Sequence, residues 1–152
     1  MGHPYDVEHA TDLHVEWCRA LLPRTGLTTT HQTGPQMRAV MLELRGCLEP
    51  EAVLVIANAL PALERGIFLE GWSLDHTPDP PRSAADFYAR VFKRVQAHHA
   101  PPPSIAADVF WLWSEKLTAR NAESIRRRLP AVLAPLWPKH AQAPLAGRRR
   151  KP

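Results

Sequence analysis

The sequence predicts an all-α protein: tandem duplicated helical units, about three to four helices each, packed into one compact bundle-like domain. Three observations predict it. Apolar residues recur at three- and four-residue steps along most of the chain. No stretch alternates cleanly between apolar and polar, and no Asn-Gly or Asp-Gly pair marks a hairpin. The apolar pattern is also written twice. Leu60-Pro61-Ala62-Leu63 closes one segment and Leu129-Pro130-Ala131-Val132 closes another 69 residues on. At that offset Val40 falls on Val109, Leu48 on Leu117, Ile56 on Ile125 and Phe68 on Trp137. Recurrence at a fixed spacing is the mark of a repeated supersecondary unit.

Residues 1–7 form an N-terminal extension, and residues 8–138 form the single helical domain. Its first helix is predicted from Glu8 to Leu22, with Leu13, Trp17, Ala20 and Leu21 on one face. Pro23-Arg24-Thr25-Gly26 stops it, and residues 23–34 are predicted to be a loop. A second helix follows from Pro35 to Cys47, with Met37, Val40, Met41, Leu44 and Leu48 in one stripe. A third starts at Glu49-Pro50, where a proline in the first helical position lacks only a donor that would have no partner. It carries Val53, Leu54, Ile56, Ala57 and Leu60 until Pro61 interrupts it. Ala62–Leu69 resumes as a short helix, and Gly71-Trp72-Ser73 ends the first unit, 8–72.

Residues 73–82 are a linker in which Pro78, Pro80 and Pro81 forbid helix and favour a stiff extended path. The second unit, 83–138, opens at Ser83, which with Asp86 matches a helix-capping pattern. Ala84 to Val91 resembles Ala10 to Trp17 at an offset of 74, five more than 69, which places a shorter loop at 98–103 in the second unit. The segment Ile105 to Leu117 holds Val109, Phe110, Trp111, Leu112 and Trp113 and is apolar nearly all round, so it is predicted to be the most buried element. Thr118 caps a helix from Ala119 to Leu129, and Leu133 to Pro138 closes the unit. Residues 139–152 turn to Ala, Pro, Gly and Arg and are predicted to be a disordered basic tail.

A chain of 152 residues with 45% hydrophobic and 22% charged composition is globular, of single-domain size, and long enough for a real core. No apolar run approaches a membrane span. The N-terminus lacks the basic and apolar regions of a secretion signal, and Asp6 stands where myristoylation wants Ser or Thr; no membrane association and a cytoplasmic location are expected. The formal charge of +4 equals the contribution of Arg148, Arg149, Arg150 and Lys151, so the body is near neutral. Cys18 and Cys47 form no CxxC motif and sit among apolar residues, which reads as two buried thiols; a disulfide between them has no support.

Four groups of residues are candidates for chemistry. Glu64, Arg65, Glu70 and Trp72 surround Gly66 and Gly71, and glycine lets a ligand approach a backbone closely. The competing structural reading has Arg65 pairing with Glu70 or capping carbonyls, Gly66 allowing close helix packing and Trp72 covering the core. His14 and Cys18, with His9 a further turn back, have the spacing of metal ligands on a helix. A complete site needs residues from elsewhere, such as His98 or His99, and nothing fixes that meeting; no metal and no cofactor are expected. Arg120, Arg126, Arg127 and Arg128 make a solvated face or, with the tail, a phosphate- or acid-binding patch. Consecutive arginines point around a helix, and the tryptophans fall on apolar faces rather than among basic residues, which argues against single-strand binding. Asp75 and Asp79 lie in the linker, where little excludes water. The motifs GxSxG, GxxxxGK-Ser/Thr, GxGxxG and HExxH are absent.

The segment Leu60-Pro61-Ala62-Leu63-Glu64-Arg65-Gly66-Ile67-Phe68-Leu69-Glu70-Gly71-Trp72 resembles the signature of a bacterial family, domain of unknown function 2267. So do Phe87-Tyr88-Ala89-Arg90-Val91 and the closing Arg128-Leu129-Pro130 with Leu136-Trp137. The resemblance covers roughly Leu13 to Pro138. The chain departs from the family pattern at Leu42, where a His is frequent, and at Arg120 and Asn121, where acidic residues are frequent. The resemblance implies a compact two-repeat helical protein and no established reaction.

The function expected is therefore that of a non-enzymatic cytoplasmic module that binds a protein partner or a second copy of itself. No catalytic constellation is legible, and the large aromatics Trp72, Phe87, Phe92, Phe110, Trp111, Trp113 and Trp137 exceed what two small half-cores need. The alternative is weak, nonspecific nucleic-acid association through Arg120, Arg126 to Arg128 and the terminal run Arg148 to Lys151. A third reading is an enzyme or ligand binder at the inter-repeat groove using Glu64, Arg65 and Glu70.

Overall fold

The computed structural model describes residues 5–95 and 99–139, and every regular element among them is helical. In chain order these are α1 (Tyr5–Ala20), α2 (Leu22–Thr25), α3 (Thr30–Gly46), α4 (Pro50–Ala59), α5 (Ala62–Leu69), α6 (Ala84–Arg94), α7 (Ile105–Lys116) and α8 (Ala119–Arg126). A short 3-10 turn, Ala134–Leu136, follows them. No described helix is long and apolar enough to cross a membrane. The expected basic tail lies almost wholly outside the described residues, as does His98.

Helix α1 buries Trp17 and Cys18 at its C-terminal end, and Leu21 is buried just beyond it. The residues expected as a loop, 23–34, instead hold α2 and the first turn of α3. Gly26 ends α2 in the left-handed region (φ 71°) and returns its N–H to the Leu22 carbonyl. Helix α3 starts well before Pro35 because Gln32 reaches back: its Oε1 accepts from the backbone N–H groups of Thr28 and Thr29, at 3.0 and 3.2 Å. Pro35 sits inside the helix on an exposed face, where its missing donor leaves only the His31 carbonyl without that bond. Helix α4 begins at Pro50 as expected, and α5 resumes directly after Pro61.

The linker is pinned rather than loose. The Asp79 N–H donates to the Gly46 carbonyl at 2.9 Å, His76 Nε2 donates to the same oxygen at 3.1 Å, and Arg90 donates to the Asp79 carbonyl at 2.8 Å. Ser83 caps α6 by accepting from the Asp86 N–H, and Thr118 caps α8 by accepting from the Asn121 N–H. Helix α7 buries seven of its twelve residues, in keeping with its apolar sequence. Helix α8 stops at Arg126, three residues short of expectation. Leu129 precedes Pro130 and is pushed out of helical geometry, and the chain tightens into turns from Arg128 to Ile125 and from Leu129 to Arg126.

One apolar core joins these helices other than the short α2, with Trp17, Met37, Leu44, Ile56, Phe68, Phe87, Val109, Phe110, Trp113 and Trp137 among its members. Phe110 stacks on Trp137 with centroids 6.0 Å apart and tilts against Trp113 at 5.9 Å. Most of the aromatic surplus is thus absorbed by the core. Trp72 and Trp111 are half-buried, and Phe92 alone of the seven is exposed, at 41%. The offset pairs Val40 and Val109, Ile56 and Ile125, Leu60 and Leu129, and Phe68 and Trp137 are all buried; Leu48 is buried while its counterpart Leu117 is half-buried. The element order recurs as well, α3, α4 and α5 being followed by α7, α8 and the 3-10 turn. Packing is less regular: α1 and α6 both lie against α3.

Leu60→Asp and Leu129→Asp each place an unpaired carboxylate in the core and are expected to cost roughly 3 kcal/mol or more. Urea denaturation of the two variants checks this, with the midpoint falling in both and the slope unchanged.

Candidate functional site

Glu64 lies four residues before Phe68, on the same face of α5, and its side chain is wholly buried. Its Oε1 stands 2.8 Å from His14 Nδ1 on α1, and its Oε2 is buried without a hydrogen-bond partner. The other imidazole nitrogen, His14 Nε2, is 3.7 Å from Cys18 Sγ. The i to i+4 spacing on α1 therefore brings His14 and Cys18 together, and α5 adds a carboxylate that spacing alone did not reveal. A proton on Nδ1 bonded to the carboxylate leaves Nε2 as acceptor for the thiol; this assignment follows from the hydrogen-bond geometry.

The line of carboxylate, imidazole and thiol has the order of a nucleophilic relay, but the thiol is not activated. Burial, and next the charge of Glu64, push the Cys18 thiol up to about 11, so it keeps its proton at neutral pH. Among the described residues no group of three or more His, Cys, Asp or Glu side chains is placed to hold a metal ion. What the cluster does physically is tie α1 to α5 through a buried polar contact. His14 is half-buried, held inward as the partner of Glu64.

The other residues of the expected notch are drawn to different partners. Arg65 does not pair with Glu70; it donates to the carbonyls of Ala57 and Leu60, at 2.9 and 3.0 Å, and so closes the C-terminus of α4. Glu70 pairs with Arg38 on α3. Gly66 faces open space, with nothing within 4 Å of where a Cβ would stand, so it mediates no close helix packing. Gly71 adopts φ 68°, and this left-handed turn folds Trp72 back against the core.

The arginines at the end of α8 and in the turn after it are engaged within the molecule. Arg126 and Arg127 both bond to Glu123, at 2.7 and 3.1 Å, and Arg128 lies 3.8 Å from Glu51 on α4. Hydrogen bonds from Arg126, and more weakly from Arg127, hold the Glu123 carboxyl down at about 2. Arg120 is exposed. Arg148, Arg149, Arg150 and Lys151 lie outside the described residues.

A groove opens between the start of α4, the Pro-rich stretch 78–81 and the turn after α8. Leu48 and Ala52 form one wall, Pro78, Pro80 and Pro81 a second, and Pro130, Ala131 and Val132 a third, around a recess of about 370 Å³. Its ionisable residues are Cys47, Glu49 and Arg128; Glu64, Arg65 and Glu70 do not line it. Burial pushes the Cys47 thiol up to about 12, and it donates to the Glu43 carbonyl at 3.1 Å. Cys18 and Cys47 are both buried free thiols. The groove therefore offers an apolar bed with charged edges and no activated nucleophile. Sequence reading missed it because its walls come from three separate stretches; the only signal was the density of prolines in two of them.

The family model described as Uncharacterized conserved protein (DUF2267) matches residues 14–136, and the chain belongs to that family. No curated protein matches the chain.

His14→Ala strands the buried Glu64 carboxylate and is expected to destabilise the fold by about 3 kcal/mol or more, whereas Glu64→Gln keeps an acceptor for the imidazole and costs less. Urea midpoints of the two variants give the order. A carboxyl titration by NMR should find Glu123 near its depressed value of about 2, and Arg126→Ala should return it toward 4.5 more fully than Arg127→Ala. Because the folded value is the lower one, the small contribution of this exposed pair is present above pH 4.5 and is lost as pH falls through about 2.

Proposed function

We propose that this DUF2267 protein is a docking module that holds a short apolar segment of a partner protein in the groove between α4, the turn after α8 and the Pro-rich linker. The groove itself is the observation that carries the reading. Its volume of about 370 Å³ accommodates two or three side chains rather than a folded surface. Proline walls have fixed φ and little freedom to lose, which lowers the entropic cost of binding. The edge residues Glu49 and Arg128 supply polar contacts that orient a ligand without transforming it. The raised thiols favour binding over catalysis, and the internal pairing of Arg126 to Arg128 weighs against a phosphate-binding role. The reading takes the two units as copies of one another, on the offset pairs, and takes the protein as cytoplasmic, on the features of its N-terminus.

The test is selection of peptides from a displayed random library on the full-length protein, followed by measurement against Ala52→Trp, which fills the recess from one wall. Selected peptides are expected to lose at least about tenfold in affinity for Ala52→Trp while the melting temperature holds, a change of about 1.4 kcal/mol. Peptides that bind both proteins equally, or a selection that enriches nothing, would overturn the reading.

A further inference from the structure

We infer that the groove is matched to the chain's own C-terminal segment, Pro144 to Lys151, which docks there in cis, and that a partner segment displacing it shares its chemistry, a proline and leucine followed by a run of cations. The inference rests on the groove being a binding site.

Reach allows it. Pro130 to Val132 form one wall, and the chain runs on from there through the 3-10 turn to Lys139, the last described residue. Lys139 is seven residues beyond Val132, a contour of at most about 25 Å that the 3-10 turn shortens, and the six residues from Lys139 to Leu145 span up to about 20 Å. A segment leaving Lys139 can thus return to the wall it came from.

Composition gives the fit. Leu145 is the one large apolar residue after Pro138, and with Pro144 and Ala146 it forms the short apolar run that a recess lined by Leu48, Ala52, Pro80 and Val132 would take. Four cations, Arg148 to Lys151, follow it within six residues. The edge they would meet carries Glu49, which is exposed and has no ion pair among the described residues. Glu51, the second residue of α4, has its side chain 85% exposed and pairs with Arg128, at 3.8 Å. Exposed pairs of this kind are individually weak. The tether compensates: a linker of a few residues gives an effective concentration on the order of millimolar. A segment with an intrinsic affinity of about 100 µM would then fill the groove about ten times more often than not, and would weaken an external ligand by that factor.

The probe is a labelled synthetic peptide with the sequence of residues 141–152, titrated into the full-length protein and into full-length Leu145→Asp. The variant, whose own segment no longer suits an apolar bed, is expected to bind the peptide at least about tenfold more tightly than the unaltered chain, and Glu49→Arg added to it should weaken that binding. Equal affinity for the two chains would sink docking in cis while leaving the groove as a binding site, and no binding to Leu145→Asp would sink the match to this segment. Failure of the groove itself is read separately, from the library selection. A second measurement joins the ends directly. With Cys47→Ala, the pair Ala52→Cys and Leu145→Cys should form an intrachain disulfide at low protein concentration; a crosslink found only between chains would overturn the cis arrangement.

Discussion

Helix α3 has almost no side left to water over its middle turns: α1, α2, α5, α6 and α7 all lie against it. Met37, Val40, Met41 and Leu44 are wholly buried, and so are two polar residues, Thr33 and Gln36. Burial of a polar side chain is costly to the extent that its groups lack partners. Thr33 donates to the Cys18 carbonyl at 2.7 Å and thereby fixes the C-terminal end of α1 on α3. Gln36 donates through Nε2 to the His99 carbonyl at 3.0 Å and so holds the connection between α6 and α7, while its Oε1 is buried without a hydrogen-bond partner. The central helix is therefore surrounded and also told, by two hydrogen bonds, where its neighbours stop. The other contacts work around this arrangement: Arg38 with Glu70 brings the end of α5 to α3, and Arg94 with Glu43 does the same for α6. These pairs are partly exposed and set register more than they add stability.

The contact between Glu64 and His14 belongs to a different class, because Glu64 is fully buried. A buried pair gains little over an apolar pair of the same size but is costly to break from one side. Its role is consequently one of specification: α5 can sit on α1 only in the register that gives Glu64 its imidazole. The thiol of Cys18 completes the polar line without becoming reactive, since the same burial that makes the carboxylate depend on His14 also raises the thiol.

Much of the fold was legible because it is governed by local rules. Ser83 and Thr118 cap helices by the mechanism their positions suggest, Pro50 begins α4, and the apolar run from Ile105 becomes the most enclosed helix. The errors fell where a nonlocal or finer rule outweighed a coarse one. Gly34-Pro35 read as a break, but the capping reach of Gln32 sets the start of α3 earlier. Apolar spacing alone carries the helix after Thr118 through to Leu129, but the proline at 130 disfavours helical geometry in the residue before it and the helix ends at Arg126. Glu64 reads from sequence as part of a charged notch around Gly66 and Gly71; its spacing from Phe68 is the available sign of burial, and its partner, fifty residues away on α1, is not readable at all. The candidate groove was the least legible feature, since no single segment carries it.

The groove persists for reasons that also lie in the backbone. The linker is held to the end of α3 through Gly46 and to α6 through Arg90, so it cannot slide inward. Its prolines have no N–H to donate and a fixed φ, so the wall cannot coil into a helix that would fill the space. On the opposite side Ala52 presents a single methyl group where a larger residue would close the recess. The turn that truncates α8 before Pro130 supplies the third wall, which a helix continued to Leu129 would have carried elsewhere. The stiff linker, the small side chain of Ala52 on α4 and the turn after α8 thus leave an apolar recess, with Glu49 and Arg128 at its edge. A recess maintained by stiff backbone rather than by long side chains has little to reorganise when filled, and this is the property that a docking site for a short segment requires.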